Sequence, residues 1–229
     1  MTEVRRDRRL AWFAVIAGLL TLIVASRFGA RPMAYCQGIG EALPNAALHA
    51  FQMARSPEML NTALGCTDRV ALLNAMNRLD LAAFIPAYAA FLLFATAVLA
   101  RGALRKLAFL VVGAGIIADV IETATQLWIG ARWPELSPAM LPLLTLGSTV
   151  KFGALGLGTA LLGLALWQRR GIGRIIGLVM IACGLVSLLL LAGIDGAEAA
   201  LAPAWLALLL ALLVNAIRRP PYPPASAGA

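Results

Sequence analysis

Histidine occurs once in these 229 residues, at His49, and lysine twice, at Lys106 and Lys151. One His excludes a bis-His haem within one chain, a His-rich metal centre and a Ser–His–Asp triad at membrane depth. No Walker loop, GxSxG or CxxC is present, which removes the sequence signs of nucleotide, serine-hydrolase, dithiol-redox and iron–sulfur chemistry. GAGIIAD (113–119) is glycine-rich but follows no predicted strand, so it is not a dinucleotide fingerprint. Charge is scarce as well. Only 13% of residues are charged, against about a quarter in a soluble domain.

What fills the chain instead is apolar: 61% of residues, with mean hydropathy +0.85. Several windows near twenty residues long are almost free of charge, enough to cross a hydrocarbon core of about 30 Å. An all-α polytopic membrane bundle is predicted over 1–217. Its spans lie at roughly 10–27, 80–100, 106–129, 140–167, 172–194 and 200–217. VAS (24–26) resembles a signal-peptide cleavage site, but the apolar run before it is long for one, so the first span is expected to stay uncleaved. The Pro-, Ala- and Gly-rich tail 218–229 is expected to be disordered and cytoplasmic.

A net charge of +8 would suit a nucleic-acid partner, but its distribution argues for topology. Arg5, Arg6, Arg8 and Arg9 precede the first span. Arg101, Arg105 and Lys106 lie between the second and third, Arg169, Arg170 and Arg174 between the fourth and fifth, and Arg218 and Arg219 after the sixth. Alternate connections are basic, as cytoplasmic loops are. Both termini are therefore expected in the cytoplasm, with the bilayer, its anionic lipids included, as the basic partner and no nucleic acid. Seventeen of nineteen basic residues are Arg, which with the Ala, Leu and Gly content points to a GC-rich bacterial genome and an inner membrane.

The one long connection, 28–79, is expected on the outer side as a small helical cap. PNAALHAFQMAR (44–55) can form an amphipathic helix. SPEML offers Ser56 as N-cap and Pro57 at the first helical position, with Gly65 as a stop. Thr67 or Asp68 is the expected cap of a helix running into the second span, bent near Pro86. Cys36 and Cys66 share this loop and are candidates for a disulfide in an oxidising compartment, contributing roughly 3 kcal/mol by loop entropy. Cys183 reads as a packing residue, and His49 as a surface or interface residue.

ADVIETATQLW (118–128) carries the anomaly. Asp119, Glu122 and Gln126 share one helix face, with Ile117, Val120, Ile121 and Leu127 opposite. A charge at membrane depth costs about 2.5–3.5 kcal/mol on insertion scales, so something must offset it. By helix rise, Lys151 on the fourth span lies at the same depth. An ion pair between Lys151 and Asp119 or Glu122 is predicted, with Ser148 and Gly147 one turn away. Asn77, Asp80 and Tyr88 of the second span are expected at the mouth of a pocket floored by Asp119, Glu122 and Lys151, with Gln126 and Ser148 as further ligand-binding residues and the 28–79 loop as its lid. DVIE (119–122) could share a Mg²⁺, but diphosphate enzymes carry more acids than this. No metal site is expected.

Three uses suit such a cluster. The leading one is a pocket in the outer half of the bilayer that binds or acts on a lipid or other amphiphile. In an enzymatic form, Asp119 or Glu122 would move a proton and Lys151 would hold developing negative charge. The second is proton- or ion-coupled transport, with a homo-oligomer supplying a second half. The third is a structural or assembly protein whose ion pair only fixes helix packing.

Overall fold

The computed structural model describes residues 3–30, 34–36, 40–42, 44–169, 171–194 and 196–217. The expected tail 218–229 and the basic positions Arg170, Arg218 and Arg219 lie outside these residues. Nine α-helices are present among them: α1 (Glu3–Gly29), α2 (Pro44–Gln52), α3 (Pro57–Leu64), α4 (Thr67–Leu79), α5 (Ile85–Leu99), α6 (Gly102–Arg132), α7 (Leu141–Trp167), α8 (Ile172–Ser187) and α9 (Leu201–Ile217). Six stretches are long and apolar enough to cross a membrane: Asp7–Gly29, Thr67–Leu99, Gly102–Arg132, Pro138–Trp167, Ile172–Ala192 and Ala197–Ile217. The protein is an all-α, multi-pass membrane bundle.

The helices pack in a simple order: α1 against α5 and α9, α6 against α7, and α7 against α8. Outward-facing positions remain apolar, as lipid requires. Phe13, Ile16 and Ile23 of α1 and Leu110 and Ile117 of α6 are exposed, and so are Val120 and Ile121, opposite the buried acids of α6. Arg side chains finish helices at the end of the bundle that holds the short basic connections. Arg8 Nε donates to Ala216 O at 3.1 Å and Arg105 Nε to Ala100 O at 2.8 Å, so carbonyls left open at helix C-termini find cationic donors.

The α7–α8 seam depends on glycine. A Cβ on Gly163 would meet Gly177 O at 2.7 Å, and one on Gly184 would meet Gly156 O at 2.6 Å. The two helices thus touch backbone to backbone at two levels. Between apolar helices in lipid, where no hydrophobic gain drives association, close backbone packing is what holds the pair.

At the opposite end lies the cap formed by α2, α3 and the start of α4. Ser56 caps α3, its Oγ accepting from Met59 N–H at 3.2 Å, and Gly65 ends the helix at φ +65, a conformation L side chains rarely adopt. The helix starting at Thr67 has Cys66, not Thr67 or Asp68, in its N-cap position. Cys66 is bonded to Cys36, with Cα atoms 5.6 Å apart, and this anchors the chain in the extended form a cap needs. Cys36 belongs to a short antiparallel ribbon, Ala34–Cys36 with Gly40–Ala42, which three-residue strands are too short to announce in sequence. Because the bond spans 30 residues, replacing Cys36 and Cys66 with Ser is expected to cost about 3 kcal/mol. Thermal unfolding of the purified variant, compared with wild type under non-reducing conditions, measures it.

The helix from Thr67 to Leu99 is not broken at Pro86. Instead Asp80–Phe84 form a π-helical turn, in which Ile85 N–H reaches Asp80 O. Pro86 brings no donor and crowds the preceding turn, and a wide turn just ahead of it relieves that crowding while the helix continues.

Candidate functional site

Depth brings the charged groups together. Asp119 is near the middle of α6, and Lys151 lies about 4–5 Å from the middle of α7 by helix rise. Gly147 lets α7 approach α6 here, since a Cβ on it would meet Glu122 Cβ at 3.0 Å and Glu122 Cα at 3.1 Å. Lys151 Nζ then reaches Asp119 Oδ1 at 2.7 Å and Glu122 Oε2 at 3.0 Å. One ammonium bridges two carboxyls of the same helix face. Asp119, Glu122 and Lys151 are all buried.

Each carboxyl has further donors. Tyr88 O–H donates to Asp119 Oδ2 at 2.6 Å, a length typical of a charge-assisted bond. Gln126 Nε2 donates to Glu122 Oε1 at 3.1 Å, and Ser148 Oγ lies 3.0 Å from the same oxygen. The Ser148 hydroxyl is also 2.9 Å from Gln52 O, which ties the cap helix α2 to the ion pair. Thr123 Oγ1 lies 3.1 Å from Asp80 Oδ2 and 3.5 Å from Asp119 Oδ1. Three carboxyls therefore face a single ammonium, and Asp80 is the one the ammonium does not reach.

A cavity of about 420 Å³ opens beside this cluster, between α1, α5, α7 and α9 and beneath α2. Asp80, Tyr88, Asp119 and Lys151 form its polar wall, while Leu22, Phe28, Phe91, Phe152 and Leu209 are among the apolar residues that line the rest. The expected pocket is thus redrawn. Asn77, Glu122, Gln126 and Ser148 do not line the cavity. They are buried behind its wall, where Glu122 pairs with Lys151, Gln126 and Ser148 bond Glu122, and Asn77 sits inside the bundle. Asp80 lines the cavity, and the helix above it continues into the cap.

The chain matches no family model, curated protein or solved structure.

Two features of the cavity were not apparent in the sequence. His49 Nδ1 lies 3.1 Å from Glu198 Oε1, joining α2 to the segment that enters α9, and both residues line the cavity. His49 lies in the cap and Glu198 in a short connection, and nothing in their local patterns pairs them. The second is a row of aromatic rings. Phe28 meets Phe84 edge-on at 5.5 Å, Phe84 lies 5.4 Å from Tyr88, and Tyr88 lies 5.4 Å from Trp205. Phe84, Tyr88 and Phe91 repeat at helical spacing on one face of the second span, a pattern that could have been read. Trp205 adds its ring from α9, with its indole N–H donated to Thr159 Oγ1 at 3.1 Å. A buried indole N–H needs such a partner.

Chemically, the wall offers a carboxyl–ammonium–carboxyl bridge with a phenol at one end, next to an apolar chamber. Water-poor surroundings strengthen each of these interactions. Such a wall can orient a polar head and can pass a proton between Tyr88, Asp119, Lys151 and Glu122, which are linked in series.

Proposed function

We propose that the protein is a bacterial inner-membrane protein that binds or acts on a lipid or other amphiphile, with the Arg-rich end in the cytoplasm and the cap on the outer side. One observation supports this reading above all: the 420 Å³ cavity joins an apolar chamber to a wall of four ionisable side chains. An ion pair needed only for helix register requires no chamber. A polar head at Asp80, Tyr88, Asp119 and Lys151 with an aliphatic tail along α1 and α9 satisfies both halves. Intramembrane ionisable groups that face a cavity usually mark a ligand path.

The test uses Ala25→Phe and Ala202→Phe. Both positions are exposed and line the cavity, so each added ring fills the chamber and leaves the core intact. Wild type extracted in native membrane discs is expected to retain one amphiphilic species near one per chain, read by mass spectrometry, and both variants to lose it. An identical lipid profile in all three proteins sinks the reading.

Coupled transport is a second reading, and the π-helical turn favours it. It breaks regular hydrogen bonding next to Asp80, as helices in transporters are broken at ion sites. Proton or solute flux into reconstituted vesicles under an imposed gradient would support it. A tight vesicle under every gradient removes it and leaves the binding pocket.

A further inference from the structure

On the amphiphile-pocket reading, on which this inference rests, the lining of the cavity also selects the head it would take. That lining holds three carboxyls, Asp80, Asp119 and Glu198, against Lys151 and the single His49. The Lys151 ammonium is already bridged by Asp119 and Glu122, and Glu198 is paired with His49. Asp80 is different. It is 5% exposed and lines the cavity, and among the described residues its carboxyl accepts a hydrogen bond only from Thr123. Among the described residues no cationic side chain lies within ion-pair distance of it. A buried carboxylate without a cation is costly, and an occupant that brings positive charge offsets that cost.

The aromatic row lies on the same wall. Phe84 follows Asp80 by one turn, Tyr88 by two, and Trp205 closes over Tyr88 from α9. Tyr88 is fully buried behind its neighbours, while Phe84 and Trp205 keep part of their surface open. Aromatic surface beside a carboxylate is the usual seat of an organic ammonium, since the ring quadrupole attracts the cation and the acid neutralises it. An anionic head would meet three carboxyls and find the only lysine already engaged. A hydroxyl head could donate to Asp80 but would gain nothing from the rings.

We propose that the cavity takes an amine-headed amphiphile, a protonated or quaternary ammonium seated between Asp80 and the Phe84 and Trp205 rings, with its tail along α1 and α9. Asp80 is the specificity residue. Lys151 is held away by Asp119 and Glu122, so the neighbouring cation does not compete for the acid.

The experiment titrates the full chain, in maltoside detergent micelles whose heads carry no amine, with octyltrimethylammonium, octanol and octyl phosphate by calorimetry, with empty micelles subtracted. The ammonium probe is expected to saturate near one per chain, with a Kd at least tenfold below those of the other two. Asp80→Asn is expected to weaken it at least tenfold, and Asp80→Glu to retain most of the affinity. Ala202→Phe, a rim position that leaves the acid untouched, is expected to block it. If octanol or octyl phosphate binds as tightly, the amine assignment is overturned and the pocket remains. Saturable binding by none of the three overturns both. Unchanged ammonium binding by a folded Asp80→Asn protein, or by Ala202→Phe, places the probe elsewhere and overturns the assignment.

Discussion

Lys151→Met is expected to be the most damaging single substitution at the site. Methionine fits the apolar volume, but it leaves Asp119 and Glu122 facing each other with no ammonium between them. Removing one partner of a buried ion pair costs about 3–5 kcal/mol, because the remaining charge stays in low dielectric. Here two acids are left behind. The expected result is a protein that extracts poorly and unfolds at lower temperature, measured by fluorescence-detected size exclusion after a temperature series. Adding Asp119→Asn and Glu122→Gln to Lys151→Met should recover most of the loss, since neutral amides can accept Tyr88 and Ser148 without requiring a cation. Failure of that rescue would mean that the volume of Lys151, and not its charge, is what the bundle needs.

The second large effect is expected at the α7–α8 seam. Gly177→Val and Gly184→Val each put side-chain carbons where the partner backbone already lies, as a single Cβ on Gly177 would meet Gly163 O at 2.5 Å. Overpacking a tight core costs about 1–3 kcal/mol and can cost more when the opposing atoms are backbone, which cannot rotate away. The two helices must separate, and the variants should lose thermal stability and become sensitive to harsher detergents. Gly173→Val serves as the control. Its nearest neighbour would be Arg169 Cβ at 3.3 Å, near the end of the helix, where a small shift relieves the contact. Equal damage from all three substitutions would point to helix propensity as the cause rather than close packing.

The spans were legible because lipid imposes a coarse rule, about twenty apolar residues with charge at the ends, and six stretches obey it. Depth matching worked for the same reason. Helix rise is constant, so counting from the ends of α6 and α7 places Asp119, Glu122 and Lys151 at one level. The cap was readable where local chemistry decides it, as at Ser56 and Gly65. The cavity lining was not. Whether Glu122 faces a chamber or lies behind Lys151 depends on how α1 and α9 close around α5, and no spacing within one helix encodes that. The His49–Glu198 pair was invisible for a similar reason: its members lie 149 positions apart in the chain.

The π-helical turn decides which way Asp80 points. In an unbroken α-helix, residues 80 and 88 would point about 80° apart, at about 100° per residue. A wide turn absorbs one extra residue, so their directions agree to within about 20°, and both side chains reach the same chamber. Removing one residue of that turn would rotate Asp80 from the bundle's interior toward its flank, while the pairs of Lys151, made between α6 and α7, stay in place.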